Sequence, residues 1–337
     1  MSRHTLSLLC KRTLAMGLVA TAAAALAAPA AYAQQLVRIS AASIDTDALS
    51  KSLVTFKDTL EKSAPGRFDI KVYPASTLFK QGTEVPAMQR GNLEMSTMTT
   101  FEVEQQIPEF SVFSTGYLFR DYGHMKAVFA SPIGAEYAKK VEEVMGIKIL
   151  QPFYLGTRQV NLRKARDVKG PDDLKGVKLR VPGGPGWLAL ARGLGVSPTP
   201  MAMPEVYLAL STGTIDGQEN PLSIMRANKL EEVTQQIVLT SHLVQPVFLA
   251  MALPIWNKLS ADDQAKAMAA AKVAADANDK ARIAEEKSIV DELQAKGLKI
   301  ARPDTALFRK AVMAQYESSG LKAKWPAGMY ERIEQVK

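Results

Sequence analysis

Two arginines, an asparagine and their neighbours carry the chemistry open to this sequence. Arg158 follows Gly156-Thr157, Arg180 lies in Lys178-Leu179-Arg180-Val181-Pro182, and Asn220 lies in Asp216-Gly217-Gln218-Glu219-Asn220-Pro221. A guanidinium is a planar fork of donors that meets a carboxylate at two points, and an amide both donates and accepts. Such groups hold an organic anion. Each also has a structural reading. Arg158 shares strand parity with Val160 and Leu162, so on a semi-buried face it needs a partner, and an internal salt bridge is one. Val177, Leu179 and Val181 alternate with Lys178 and Arg180, the period of a half-buried strand that turns Arg180 away from the core. Pro182-Gly183-Gly184 then breaks the strand, leaving Arg180 near its carboxyl end, where open α/β sheets place ligands. There it is a solvated strand-end charge or a ligand contact. Asn220, before Pro221, is a turn residue, a cap or a ligand contact. Met203 lines a cleft or joins the core, and Trp187 covers a ligand or packs.

The motifs of bond-breaking chemistry are missing. No HExxH, paired CxxC or GxSxG occurs, and Gly183-Gly184-Pro185-Gly186 lacks the GK[ST] ending of a phosphate loop. Past residue 33 only His124 and His242 remain, each read as a surface or hydrogen-bonded core residue. The acids form no recognisable catalytic pair. These absences weigh against an enzyme, and no cofactor or metal site is expected.

The first 33 residues read as a leader rather than as fold. Arg3, Lys11 and Arg12 precede an Ala-rich apolar stretch from Thr13 to Ala28, and Ala31-Tyr32-Ala33 offers small residues for cleavage before Gln34. The stretch is short for a membrane anchor, and no other long apolar run follows, so no stable membrane insertion is expected. Cys10, the single cysteine, precedes the apolar region, whereas a lipid-bearing cysteine would follow it. Cleavage therefore leaves an exported chain with no thiol or disulfide, which must rely on its core. It also leaves 39 basic against 34 acidic residues, a balance of +5. The basic residues are dispersed among acids, unlike a nucleic-acid-binding tract.

Positioning the polar groups falls to alternating strands and helices. Strands are expected at Leu36 to Ala42, Phe68 to Tyr73, Leu93 to Met98 and Ile147 to Phe153, and helices at Ala48 to Lys62, Gly82 to Arg90 and from Ser131 to Gly146. The alternation argues for a largely parallel α/β sheet. The aromatics between Thr99 and Tyr122 read as core. After Ser260-Ala261-Asp262-Asp263, a capping-box-like start, a helical pattern runs to Lys296. Ala269, Val273, Ala277, Ala281 and Ala284 fall on one face of its first half, and Ile283, Ile289, Val290 and Leu293 on a nearly opposite face of its second. Unbroken, it would be on the order of 54 Å long, enough to serve two lobes with its two halves. Two helices kinked near Asp276 to Asp279 are the other reading.

The order and spacing of these segments resemble the extracytoplasmic solute receptors of TRAP transporters, the DctP type. The resemblance rests on Gly156-Thr157-Arg158-Gln159, Asp173-Leu174-Lys175-Gly176-Val177-Lys178-Leu179-Arg180-Val181-Pro182, Pro198-Thr199-Pro200-Met201, Glu205-Val206-Tyr207-Leu208-Ala209-Leu210 and Asp216 to Pro221. Weaker similarity, including Pro65-Gly66-Arg67-Phe68 and Tyr73-Pro74, covers nearly all of the chain past the leader. It implies a two-lobed periplasmic binding protein fold, type II-like, with hinge crossings and a long helix spanning both lobes. Lobe I would be 34–155 with 246–285, and lobe II 156–245 with 286–337. Arg180 matches the family's carboxylate-clamping arginine, Arg158 its second arginine and Asn220 its cleft asparagine. Met203 stands where sialic-acid-binding members carry Phe, and Thr99 where they carry Glu, departures that count against sialic acid. Gln81, Trp187 and Tyr117 are further pocket candidates. The implied function is a periplasmic receptor that passes a small organic acid to TRAP membrane permease subunits. The rivals are the receptor of an ATP-driven uptake system and a periplasmic enzyme acting on organic acids.

Overall fold

The computed structural model describes residues 34–337, so the leader, its cleavage and Cys10 lie outside the described residues. The chain begins with β1 (Gln35–Ser40), then α1 (Ala48–Ser63), β2 (Phe68–Tyr73), α2 (Glu84–Gln89), β3 (Met95–Thr99) and α3 (Thr100–Glu104). Local chemistry sets these boundaries. Asp47 accepts the Leu49 N–H to cap α1, while Thr99 and Glu102 form a reciprocal capping box that starts α3 immediately after β3. Next come α4 (Pro132–Met145), which ends on left-handed Gly146, and β4 (Ile147–Leu162). The second half contributes β5 (Lys178–Val181), α5 (Pro185–Gly193), β6 (Ser197–Pro200), α6 (Val206–Thr212), β7 (Gly217–Pro221) and β8 (Gln236–Ala252). The last main elements are α7 (Ala261–Ala295), β9 (Lys299–Ala301) and α8 (Thr305–Ser318).

The strands form one mixed sheet in the order β2-β1-β3-β8-β4-β7-β5-β6, with β9 on β8. It is less parallel than alternation suggested. β1 pairs with β3, and β5 with β6 and β7, in parallel, but β3–β8, β8–β4 and β4–β7 are antiparallel. The reason lies in β4 and β8, of 16 and 17 residues, which run the length of the sheet in opposite directions. The first half of β4 and the second half of β8 lie on the β3 side, whereas Arg158–Leu162 of β4 pair with β7. Between Tyr154↔Pro246 and Gly156↔Gln245 the register shifts. Gly156 adopts φ +132° there, and a Cβ on it would stand 2.5 Å from the Pro221 Cβ, so the close crossing of β4 and β7 requires glycine.

Helix α7 is unbroken over 35 residues, about 52 Å at 1.5 Å per residue, and Ser260 caps it by accepting the Asp263 N–H. Its buried side is not the one expected in the first half, whereas Ile289 and Leu293 are buried in the second as expected. Ala267, Ala270, Ala271, Ala274 and Ala275 are buried, whereas Val273 and Ala277 face solvent, and the buried stripe continues on the same side to Ile289 and Leu293. Alanine recurs all round this helix, so periodicity had no contrast from which to choose a face. The first half packs with α1 and β1 in one apolar cluster, and Ile289 and Leu293 join Val206, Leu210 and Ile237 in another. Between them the stripe turns polar. The Asp279 Oδ1 accepts the Tyr154 N–H at 2.7 Å, and Glu286 accepts the Tyr154 hydroxyl at 2.8 Å and the Thr157 N–H at 2.7 Å. The long helix thus grips β4 where its register changes.

Candidate functional site

Strands β5 and β7 carry their polar side chains into a cavity closed on the other side by α2, α3 and the loop before α1. Arg180, Arg158, Asn220, Met203, Thr99 and Gln81 all line it. Trp187 and Tyr117 do not. Trp187 is fully buried on α5 with its ring 4.7 Å from the Arg158 guanidinium, a cation–π contact behind the cavity wall. Tyr117 donates its hydroxyl to the Thr240 carbonyl at 2.9 Å, which draws the ring towards β8.

The two arginines differ in how their charge is met. Arg158 is enclosed: Nη2 donates to Glu219 Oε1 at 2.7 Å and to the Glu219 carbonyl at 2.6 Å, and Nη1 donates to Gln245 Oε1 at 2.5 Å. Glu219 also contacts His242 Nε2 at 3.0 Å, and His242 Nδ1 meets the Thr240 hydroxyl at 2.8 Å. Burial alone would raise the Glu219 carboxyl, but the charge of Arg158 and the hydrogen bonds of His242 and Arg158 outweigh it and hold the group below its ordinary range. Burial lowers His242, against the pull of Glu219. The internal salt bridge considered for Arg158 is therefore present.

Arg180 is the other case. Only 1% exposed, it donates Nε to the Met201 carbonyl at 2.9 Å, and its buried Nη2 has no partner among the described residues. Burial pulls its pKa well below the ordinary arginine range, to about 10, with Arg158 adding repulsion and Glu219 and Glu205 opposing it. Alternation suggested a half-buried strand, yet Leu179, Arg180 and Val181 are all buried, because the cavity and its far wall cover the side on which Arg180 lies. Protein neighbours leave such a donor fork incomplete, and a ligand carboxylate would complete it.

The remaining residues shape the space. The Asn220 amide donates to Gln218 Oε1 at 2.6 Å and lies against Met203 Sδ at 3.6 Å. Gln81 Oε1 accepts the Met203 N–H at 2.7 Å, and next to it Lys80 pairs with Glu205 at 2.6 Å. Thr99 is committed to capping α3. Sequence reasoning missed Asp47, Glu84, Glu102 and Arg282, which also line the cavity. The spacing Thr99-x-x-Glu102 is a capping-box signature that reveals one of them. Asp47 and Arg282 form a buried ion pair across 235 positions, a separation that no local pattern signals.

Residues 40–322 match the sequence model of the DctP family, described as bacterial extracellular solute-binding protein, family 7. The chain belongs to this family. A solute-binding protein of Verminephrobacter eiseniae is 35% identical over 87% of this chain and 88% of its own length. Among solved structures, a TRAP periplasmic solute-binding protein of Roseobacter denitrificans, with bound 3-deoxy-D-manno-oct-2-ulosonic acid, superposes with a TM-score of 0.86. It is 37% identical and covers 90% of this chain and 100% of its own. Another from the same species, with bound L-galactonate, has a TM-score of 0.82 at 28% identity, covering 90% of this chain and 99% of its own. The DctP-family chain is thus a TRAP-type solute-binding protein with the two-lobed periplasmic binding fold. Its family and structural neighbours are receptors rather than enzymes. Among the described residues no cluster of His, Cys, Asp or Glu is arranged to hold a metal, and no helix is long and apolar enough to cross a membrane.

Proposed function

We propose that this protein is an exported receptor which binds a small organic acid in the cavity through Arg180 and hands it to TRAP membrane permease subunits. The observation that carries the reading is the buried, unpartnered Nη2 of Arg180 in a cavity whose other two arginines are already neutralised by Glu219 and Asp47. A carboxylate entering there replaces lost hydration with a charge-assisted, two-point contact, and the surrounding low dielectric strengthens it. Arg158 supports that site from behind, with Glu219, His242 and Trp187 fixing its orientation. Asn220, Met203, Thr99 and Gln81 bound the space in which the rest of the ligand lies.

Capture and release follow from two lobes, 34–155 with 246–285 and 156–245 with 286–337, moving about the crossings in β4 and β8. The register shift at Tyr154/Gly156 falls at the first boundary and the two halves of α7 join different apolar clusters, while a third cluster joins Phe110 and Phe113 to Trp187 and Phe308 across the two segments. Gln81–Met203 and Lys80–Glu205 would then be contacts between lobes, made when the cleft closes. Export would follow removal of residues 1–33 before Gln34.

Mass spectrometry of the molecule that copurifies with the protein, followed by calorimetry with organic acids, tests the reading. Recovery of an intact organic acid that binds one-to-one is the expected result. Turnover of the bound acid, or failure of every organic acid to bind, would overturn it.

A further inference from the structure

The Gly183-Gly184-Pro185-Gly186 turn, which lacks the ending of a phosphate loop, holds a carboxyl group of the chain itself. Glu104, the last residue of α3, places its Oε1 where it accepts the Gly186 N–H at 3.2 Å, in the first turn of the nine-residue α5. A Cβ on Gly184 would overlap Glu104 Oε1, and one on Gly186 would overlap Oε2, so both glycines are needed for the carboxyl to enter. Phe101, three positions earlier on α3, covers the same turn, since a Cβ on Gly183 or Gly184 would meet its ring at 3.6 or 3.3 Å. Glu104 is 1% exposed, and its Oε2 has no partner among the described residues.

The groups facing this carboxyl are an acid and neutral donors. Glu102 lies on its own helix, Ser114 comes from the 108–114 turn, and Tyr137 and Tyr316 come from α4 and α8. The Tyr316 hydroxyl donates to the Gly186 carbonyl at 3.2 Å and so fixes the same turn from the other side. Burial, with Glu102 adding to it, pushes Glu104 up to about 8 against the pull of Ser114 and of the Gly186 and Trp187 N–H groups. A neutral carboxyl suits this seat, whereas an ionised one would be buried with one oxygen unmet.

The seat is three residues from the anchor. Arg180 lies one position from the end of β5, Pro182 lines the cavity, and Gly183 and Gly184 follow at φ +112° and +82° before α5 begins. Two adjacent glycines leave the turn free to move, and the carboxyl that fills their cradle removes that freedom. Because α3 also carries Glu102, which lines the cavity, this short helix fastens one wall to the strand end opposite.

Resting on the reading of Arg180 as the carboxylate anchor, we infer that Glu104 is a positioning residue for it, its carboxyl locking the turn after β5 so that the Arg180 fork stays aimed into the cavity. Ionisation unseats the carboxyl, and capture weakens as the solution becomes alkaline.

Calorimetry on the mature protein, stripped of bound ligand, tests this with gluconate, galacturonate, succinate and pyruvate, and the acid that the parent binds most tightly serves as the probe. At pH 6.5 Glu104→Ala should bind the probe at least roughly tenfold more weakly than the parent. Glu104→Gln, which keeps the shape and the acceptor oxygen, should recover most of that loss. Between pH 6.5 and 9 the parent should lose roughly tenfold in affinity relative to Glu104→Gln, the effect of one proton released over that range. Glu84 and Arg180 are common to both proteins, so their titration cancels in the ratio. A purely structural Glu104 would lower the melting temperature of Glu104→Ala but leave probe affinity and its pH profile as in the parent, and that result overturns the inference. Where Glu104→Ala fails to fold, the ratio of parent to Glu104→Gln decides alone. If Arg180→Met abolishes binding while the Glu104 variants follow the parent at every pH, the inference falls and the organic-acid receptor stands. If Arg180→Met binds the probe as the parent does, or none of the four acids binds, both fall.

Discussion

Replacing Arg180 with methionine separates its role in binding from its role in folding. The guanidinium is buried with Nη2 unpartnered among the described residues, and burial draws its pKa from the ordinary arginine range down to about 10. That displacement corresponds to about 3 kcal/mol working against the charged form. Methionine fills a similar volume with an adaptable apolar chain and removes this cost, giving up one hydrogen bond to the Met201 carbonyl. The ligand-free variant should therefore melt at or above the temperature of the parent, as expected where a binding site holds an uncompensated charge. Binding should move the other way. Losing one partner of a buried charge pair costs about 2–5 kcal/mol, or roughly 30- to 4,000-fold in Kd. Calorimetry and melting curves on the same preparations give both numbers. A variant that melts several degrees lower yet retains its ligand affinity would refute the reasoning, since Arg180 would then be a structural residue.

Three further outcomes follow from the same contacts. Arg180→Lys keeps the charge but loses the fork, so affinity should fall roughly 10- to 100-fold with little change in melting temperature; calorimetry that finds parental affinity would argue for a simple point charge. Glu219→Gln strands the buried charge of Arg158, which should cost about 3–5 kcal/mol and show as a markedly lower melting temperature. A melting temperature within a degree or two of the parent would contradict the need for that pair. Glu104 is buried with Oε2 unpartnered at the start of α5, and burial pushes its carboxyl up to about 8. Folded protein thus holds a proton that unfolded chain releases from about pH 4.5 upward, and this contribution to stability is lost as pH rises towards 8. Glu104→Gln lacks that proton linkage, so its melting temperature should gain on the parent as pH goes from 5 to 8. The opposite slope from His242, whose pKa is lowered, is common to both proteins and cancels in the difference. A pH-independent difference would rule out Glu104 as the titrating group.

Much of this protein is written in local pattern. The capped start of α7, the left-handed stop at Gly146 and the order of strands and helices all follow from neighbours within a few positions, which a linear reading sees. So does the pairing of Arg180 with a strand end followed by Pro182-Gly183-Gly184. What local pattern could not supply was contrast or distance. Alanine on every side of α7 concealed which face packs, and the two long antiparallel strands that make the sheet mixed were visible only in part.

The site divides in the same way. Local pattern left Arg158 and Arg180 each open to a structural or a ligand-binding role, and only the family resemblance singled out Arg180 as the clamp. Tertiary structure made them unequal by bringing Glu219, Gln245 and His242 to one and leaving Nη2 of the other unpartnered. The same folding neutralised Arg282 with Asp47 from 235 positions away and set Glu84 and Glu102 on the facing wall. Residue type fixes what a group can donate or accept, whereas only the folded chain determines which of those capacities the protein itself consumes. The charge left over after that pairing is what a ligand can meet.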